Sequence, residues 1–346
     1  METAISTTRK SLAVAAAVLA GAVACGTAES LTAAQKLDRA IDTLGRQTSL
    51  SFELALDTDP ATLKALNSKA EPGQEMPEQV AEFLAATRLS VSVQSKKPLR
   101  DSSEADITGM AMKVSGSDGD LLEYRQIGDW SYLRAGVKAL ERASGRQLPA
   151  PADLPPNATD LRQILSGGWV KMPADSVTKS PSRKETSPAE NPGARARQKK
   201  VIQGLHQLLD REVQLKDTGA KHGADHITAT APFQTLITGL VEELRPLAED
   251  FPQGANLPTS KDLKEAPDKK ITADFAIKNG ALNKVSIDLA PLAGTKDDNF
   301  ALLLRFGTGG KAAAPGAATQ IDPEALAQQL LGGPVIPGSS APRLQR

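Results

Sequence analysis

The chain has 346 residues, 41 Lys and Arg against 41 Asp and Glu, and aromatic side chains at only 3% of positions. That neutral balance argues against a nucleic-acid surface, and the shortage of aromatics against the stacking platforms of sugar and single-strand binding. One cysteine rules out an internal disulfide, so an aliphatic core held by packing alone is expected.

The first segment carries Arg9 and Lys10, then an unbroken small-apolar run from Leu12 to Ala24, ending Ala22-Val23-Ala24-Cys25. A basic start, an apolar middle and a small-residue exit are the parts of an export signal rather than a fold element. The run is too short and too Ala-rich for a spanning helix, which needs about 20 apolar residues and a basic flank beyond it. These residues resemble a bacterial lipoprotein signal, with Ala22, Val23 and Ala24 as the lipobox; Ala22 stands where Leu is commonest. The resemblance implies cleavage after Ala24, acylation of Cys25 by diacylglyceryl and palmitate groups, and anchoring at the extracytoplasmic face of the cell membrane. Acyl methylenes contribute about 0.8 kcal/mol each when buried, so two or three chains hold permanently. An ordinary secretory signal and an uncleaved anchor are the competing readings. Cleavage removes Arg9, Lys10 and Glu2 and leaves 322 residues with 39 basic and 40 acidic side chains.

Residues 25–30 read as a tether. Leu31, Ala34, Leu37, Ile41 and Leu44 recur at spacings of three and four, which predicts an amphipathic helix; Leu50, Phe52, Leu54 and Leu56 then alternate as a half-buried strand does. A second helix is expected from about Pro77 through Val80, Phe83 and Leu84, followed by a strand at Leu89, Val91 and Val93. Met110, Met112 and Val114, then Leu122 and Tyr124, then Trp130 and Tyr132, separated by Gly-Asp turns, predict an antiparallel meander. Thr159 or Asp160 opens a short helix stopped at Gly167-Gly168, and Trp169 to Met172 is one more strand.

Between Ala174 and Lys200 large apolar residues nearly vanish while three prolines and seven Lys or Arg accumulate, which reads as a disordered basic linker. The second half repeats the grammar of the first. Val201, Ile202, Leu205, Leu208 and Leu209 form a helical face, a hairpin crosses Gly219 to Gly223, and Pro232 opens a helix through Leu244. Ile271, Ala273, Phe275 and Ile277 alternate up to Asn279-Gly280, the preferred two-residue turn, and Val285, Ile287 and Leu289 return. Phe300 to Phe306 is a last strand; 307–346, rich in Ala, Gly and Pro, reads as a flexible tail.

Element order, with Gly128-Asp129-Trp130-Ser131-Tyr132-Leu133, Gly168-Trp169-Val170-Lys171-Met172-Pro173 and the Asn279-Gly280 hairpin, resembles the LolA-like half-barrel superfamily, in particular its LppX/LprG-type lipoproteins. The resemblance covers residues 31–306. It implies an α+β fold in which a curved antiparallel sheet, a half-barrel, carries amphipathic helices on its concave face and leaves an apolar cavity for acyl chains. Physically, a many-stranded sheet with one apolar face and three helices to cover it either leaves a pocket or is filled. The candidate lining is Phe52, Leu54, Val91, Trp130, Tyr132, Phe275 and Ile277.

Catalytic and metal chemistry find little support in the residues. His222 and His226 share a spacing of four but flank a turn and lack a third ligand, and His206 sits between core positions of a helix. Gly307-Thr308-Gly309-Gly310-Lys311 approaches a phosphate loop, yet Ala312 replaces the required hydroxyl. The expectation is a monomeric, non-enzymatic lipoprotein without cofactor or metal that binds a lipid or other apolar small molecule; the alternative is an envelope scaffold with the same fold.

Overall fold

A computed structural model describes residues 28–67, 76–178, 192–246, 257–293, 299–307, 312–323 and 325–326. The lipobox and Cys25 lie outside them.

The first helix, α1 (Ala28–Gly45), presents Ala33, Ala34, Leu37, Ala40 and Leu44 as its buried stripe, the three-and-four spacing expected of it. β1 (Ser49–Asp57) follows, then α2 (Pro60–Leu66), whose start is set by Asp59: the carboxylate accepts the Thr62 amide at 2.9 Å, with Pro60 in the first helical position. Next come α3 (Glu78–Ala86), β2 (Arg88–Ser95), β3 (Ile107–Gly116), β4 (Gly119–Ile127) and β5 (Trp130–Ala135). α4 (Val137–Ser144), α5 (Thr159–Leu165), β6 (Val170–Pro173) and α6 (Ala174–Thr178) complete the first half. The second half runs α7 (Pro192–Glu212), β7 (Gln214–Lys221), β8 (Ala224–Pro232), α8 (Phe233–Leu244), α9 (Ser260–Glu265), β9 (Lys270–Lys278), β10 (Ala281–Asp288), α10 (Ala290–Ala293), β11 (Ala301–Gly307) and β12 (Thr319–Gln320).

These strands form one open sheet in the order β12-β6-β5-β4-β3-β2-β1-β11-β10-β9-β8-β7. Every pairing is antiparallel except β12 on β6. The fold is α+β as expected, with β1, the first strand, paired to β11 in the middle of the sheet, which joins the two halves of the chain. Two tight hairpins use left-handed pairs, His222-Gly223 (φ 51° and 76°) and Asn279-Gly280 (φ 52° and 74°). Positive φ at both central residues matches the right-handed twist of the flanking strands.

Register divides the sheet into two faces. Across β1 to β6 the row Phe52, Val91, Met112, Tyr124, Leu133, Val170 lies on one side. From β11 to β7 the same side carries Leu304, Val285, Phe275, Ile227 and Asp217. The opposite side carries one continuous row, Lys284, Arg305, Glu53, Ser90, Lys113, Glu123 and Arg134. α1 packs on the apolar side: Ala33, Leu37, Ala40 and Leu44 meet Ile227, Ile277, Leu282 and Val285 in one buried cluster.

Two expectations change. The linker reading of 174–200 does not hold at either end. Ala174 donates its amide to the Asp129 carbonyl at 2.8 Å and starts α6, while 192–200 are the first turns of α7. Further along α7, Val201, Leu205 and Leu208 are buried where the helix packs on α8, and a helix with one docked face propagates outward at little cost. The stretch between, 179–191, is outside the described residues. The tail reading of 307–346 also changes in part. Thr319 donates to the Trp169 carbonyl at 2.9 Å, Ile321 to that of Lys171 at 3.0 Å, and the Ile321 side chain is buried against Val170 and Met172. One large apolar residue in an Ala/Pro segment is enough to seat it on a sheet edge.

Candidate functional site

The apolar face is not covered evenly. Under α1, Ile227, Leu282, Val285 and Ile277 are no more than 6% exposed, while Phe275 and Ile287 beside them are half-buried. Over β1 to β5 the same face is buried at Val91 and Met110, but Phe52, Leu54, Leu89, Val93, Met112, Val114, Leu122, Tyr124 and Leu133 are only half-buried. Beside it, α3 makes contacts with β1 and β3 and exposes Val80. Water-contacting aliphatic area of this extent costs free energy unless something apolar covers it.

Of the seven candidate lining residues, Phe52, Leu54, Val91, Phe275 and Ile277 share the apolar face. Phe275 and Ile277 are packed in the α1 cluster, which leaves Phe52, Leu54 and Val91 in the half-covered half. Trp130 and Tyr132 are on the other face. Tyr132 pairs with Arg125 and Lys171 in register, and Ser131 and Leu133 take the apolar side instead, with the Ser131 hydroxyl 3.0 Å from the Tyr124 hydroxyl.

On that polar face the two tryptophans stack on cations. Arg125 and Arg134 lie 4.6 Å and 5.2 Å from the Trp169 ring, and Lys171 lies 4.7 Å from that of Trp130. Glu123, almost buried, accepts from Arg134 and, at 3.1 Å, from Arg125. Farther along, His226 Nδ1 lies 2.8 Å from Asp274 and Arg305 Nη1 lies 3.1 Å from Glu53. Sequence reasoning had no access to this network, because it joins strands far apart in the chain through register.

Two hollows stand out among the described residues, both open clefts. One of about 560 Å³ lies between the ends of β4 and β5, α4 and the 148–151 loop. The other, about 370 Å³, crosses β1 to β4 and is bordered by Ser51, Ser90, Ser92, Lys113, Arg125 and Ala313. Val91 borders the second; Phe52, Leu54, Phe275 and Ile277 border neither. Among the described residues no cluster of three His, Cys, Asp or Glu side chains could hold a metal ion, and no helix is long and apolar enough to cross a membrane.

The fold and face asymmetry define a class: an α+β protein built on a wide open antiparallel sheet with one apolar side incompletely covered by helices. No family model matches the chain, and no curated protein does either. Among solved structures the chain is similar to the Mycobacterium tuberculosis lipoprotein LppX, at 13% identity and a TM-score of 0.30, over 80% of this chain and 93% of that one. A likeness that distant carries no weight for function.

Proposed function

We propose that this protein is a lipoprotein tethered through Cys25 to the extracytoplasmic face of the cell membrane, and that it binds a lipidic ligand there without covalent chemistry. The observation that carries the binding reading is one sheet face with a buried cluster beneath α1, at Ile227, Ile277, Leu282 and Val285, and a broad half-buried apolar stretch over β1 to β5. A hydrocarbon chain laid against Phe52, Leu54 and Met112 would remove that area from water, a contribution of roughly 25 cal/mol per Å² of apolar surface.

The ligand test is native mass spectrometry of residues 26–346 purified from a membrane-containing host. Co-purifying lipid is expected, and Leu54→Asp should reduce its yield several-fold. A wild-type domain that carries no lipid and takes none up from vesicles overturns the reading. The tether test is incorporation of labelled palmitate into the full chain, expected for the wild type and lost in Cys25→Ser; label retained by Cys25→Ser overturns the anchor.

A scaffold role is the second reading. The observation in its favour is that both hollows are open and that four of the five candidate residues on the apolar face border neither. Under it, the lipid-free domain should capture an envelope protein in crosslinking while taking up no lipid.

A further inference from the structure

One row of the apolar face is not apolar throughout. Register sets Leu50, Val93, Met110, Gln126, Ser131 and Met172 side by side from β1 to β6, so Gln126 stands on the hydrocarbon side of the sheet between a methionine and a serine. Gln126 is 6% exposed and Ser131 1%. From the neighbouring row the Tyr124 hydroxyl reaches across to Ser131 Oγ at 3.0 Å, which brings a hydroxyl pair alongside Gln126. The Gln126 side chain itself makes no hydrogen bond to any of the described residues. Among those residues the side-chain atoms that are both fully buried and unbonded are Gln47 Oε1 and Asp210 Oδ1. The unbonded Gln126 amide is therefore not closed in: the small part of this residue left exposed includes its polar end.

Polar groups inside proteins are nearly always hydrogen-bonded, and a few placed on an otherwise apolar surface are what orients a ligand in a binding site. The surroundings of Gln126 set the charge of the group it can take. No Lys, Arg, Asp or Glu occurs in its own row, in the Phe52-to-Val170 row beside it, or in the row from Leu54 to Ala135 beyond. An ionised head pressed against Gln126 would lose its water with no countercharge from the sheet, which costs more than one hydrogen bond to an amide returns. A hydroxyl, ester or amide meets no such penalty, and the glutamine amide offers it both donors and an acceptor.

We propose that Gln126 is the specificity-determining residue of the lipid-binding face: it takes an uncharged hydrogen-bonding group of the ligand, a hydroxyl, ester or amide, while the hydrocarbon chain lies against Met112 and Phe52. The assignment rests on the lipid-binding reading and adds to it the place and the charge of the ligand's polar group. Three probes with the same fluorophore and chain test it: 11-(dansylamino)undecan-1-ol, 11-(dansylamino)undecanoic acid, and N-undecyl dansylamide, which has no head group. Residues 26–346 would be titrated with each at about pH 8, where the acid is ionised. The alcohol should bind more tightly than the acid. Gln126→Met, an unbranched side chain of similar size, should weaken the alcohol about three- to tenfold, the scale of one net hydrogen bond, and leave the headless probe unchanged or tighter. The same variant should keep or raise the Tm, because it replaces an unbonded amide by an apolar group, whereas a purely structural role would lower it.

Alcohol binding untouched by Gln126→Met overturns the assignment, as does an equal loss for the headless probe. An acid that binds most tightly and weakens in the variant overturns the uncharged head. In each of these cases, binding of the headless probe to the wild type leaves the lipid-binding reading standing. A wild type that binds none of the three probes sinks both.

Discussion

Lys36 Nζ on α1 lies 2.6 Å from Asp217 Oδ2 on β7, across 181 residues of sequence. Asp217 is the charged member of an otherwise apolar row, and Lys36 stands over it from the helix that seals that row. The pair ties the start of the described chain to the last strand of the sheet.

That contact predicts a pH dependence. The Lys36 hydrogen bond and charge, with the Gly219 amide, hold the Asp217 carboxyl below its ordinary range. A folded-state value below the unfolded one means stability that is present above about pH 4 and is lost as pH falls through the lower, folded value. Asp217→Asn should therefore lower the Tm at pH 7 and narrow its difference from wild type as pH drops below about 4. A constant difference from pH 7 to pH 2 would contradict the pairing.

Leu37 and Leu54 test the uneven cover of the apolar face. Leu37, on the sheet-facing stripe of α1, is 3% exposed, and Leu37→Ala should cost about 2–4 kcal/mol in urea unfolding. Leu54 is half-buried on the apolar sheet face, and Leu54→Ala should cost about 1 kcal/mol because little cavity is left behind. Equal losses would mean that the β1–β5 half is as tightly packed as the rest.

Gly136→Ala brings a Cβ into the Asp120 carbonyl and forces the β5-to-α4 turn to move. The expected loss is about 2 kcal/mol or more, in the range of backbone-strain substitutions. Gly128→Ala is the useful contrast, since nothing lies within 4 Å of its Cβ and only its φ of 55° is strained. A Gly136→Ala protein as stable as wild type would mean that the close approach can relax freely.

Ile321 seats the returning segment on β6. Ile321→Asp puts a charge among Val170, Met172 and Ile321's other apolar neighbours and should release β12. Faster amide exchange at Thr319 and Ile321, which donate to Trp169 and Lys171, is the readout. Unchanged exchange would show that the segment is held by something other than this side chain.

Much of the fold is legible in local pattern. The spacing of Leu37, Ile41 and Leu44, four and then three, foretells a helix with one apolar stripe, and Asn279-Gly280 foretells a hairpin because few other pairs accept two positive φ values. The pattern misleads where aromatic residues alternate with small ones. Trp130 and Tyr132 look like inward positions, yet strand pairing sets Tyr132 between Arg125 and Lys171 on the polar face and lays the Lys171 ammonium over the Trp130 ring, a contact that accommodates an aromatic outside the core. It is silent on the large cleft, whose walls come from β4, β5, α4 and α5 and are joined at Gly136, Glu141 and Arg162, residues with no apolar pattern to announce them.

By itself the sequence determined the class: alternation and helical periodicity demand a sheet with one apolar face and helices to cover it, and the unique Cys25 after an apolar run raises the expectation of a tether. Tertiary structure decided how much of that face is covered and what stands opposite it. Periodicity records only that a residue prefers burial, whereas which helix reaches it depends on strand register and on contacts such as Lys36 with Asp217, between residues that the chain keeps far apart.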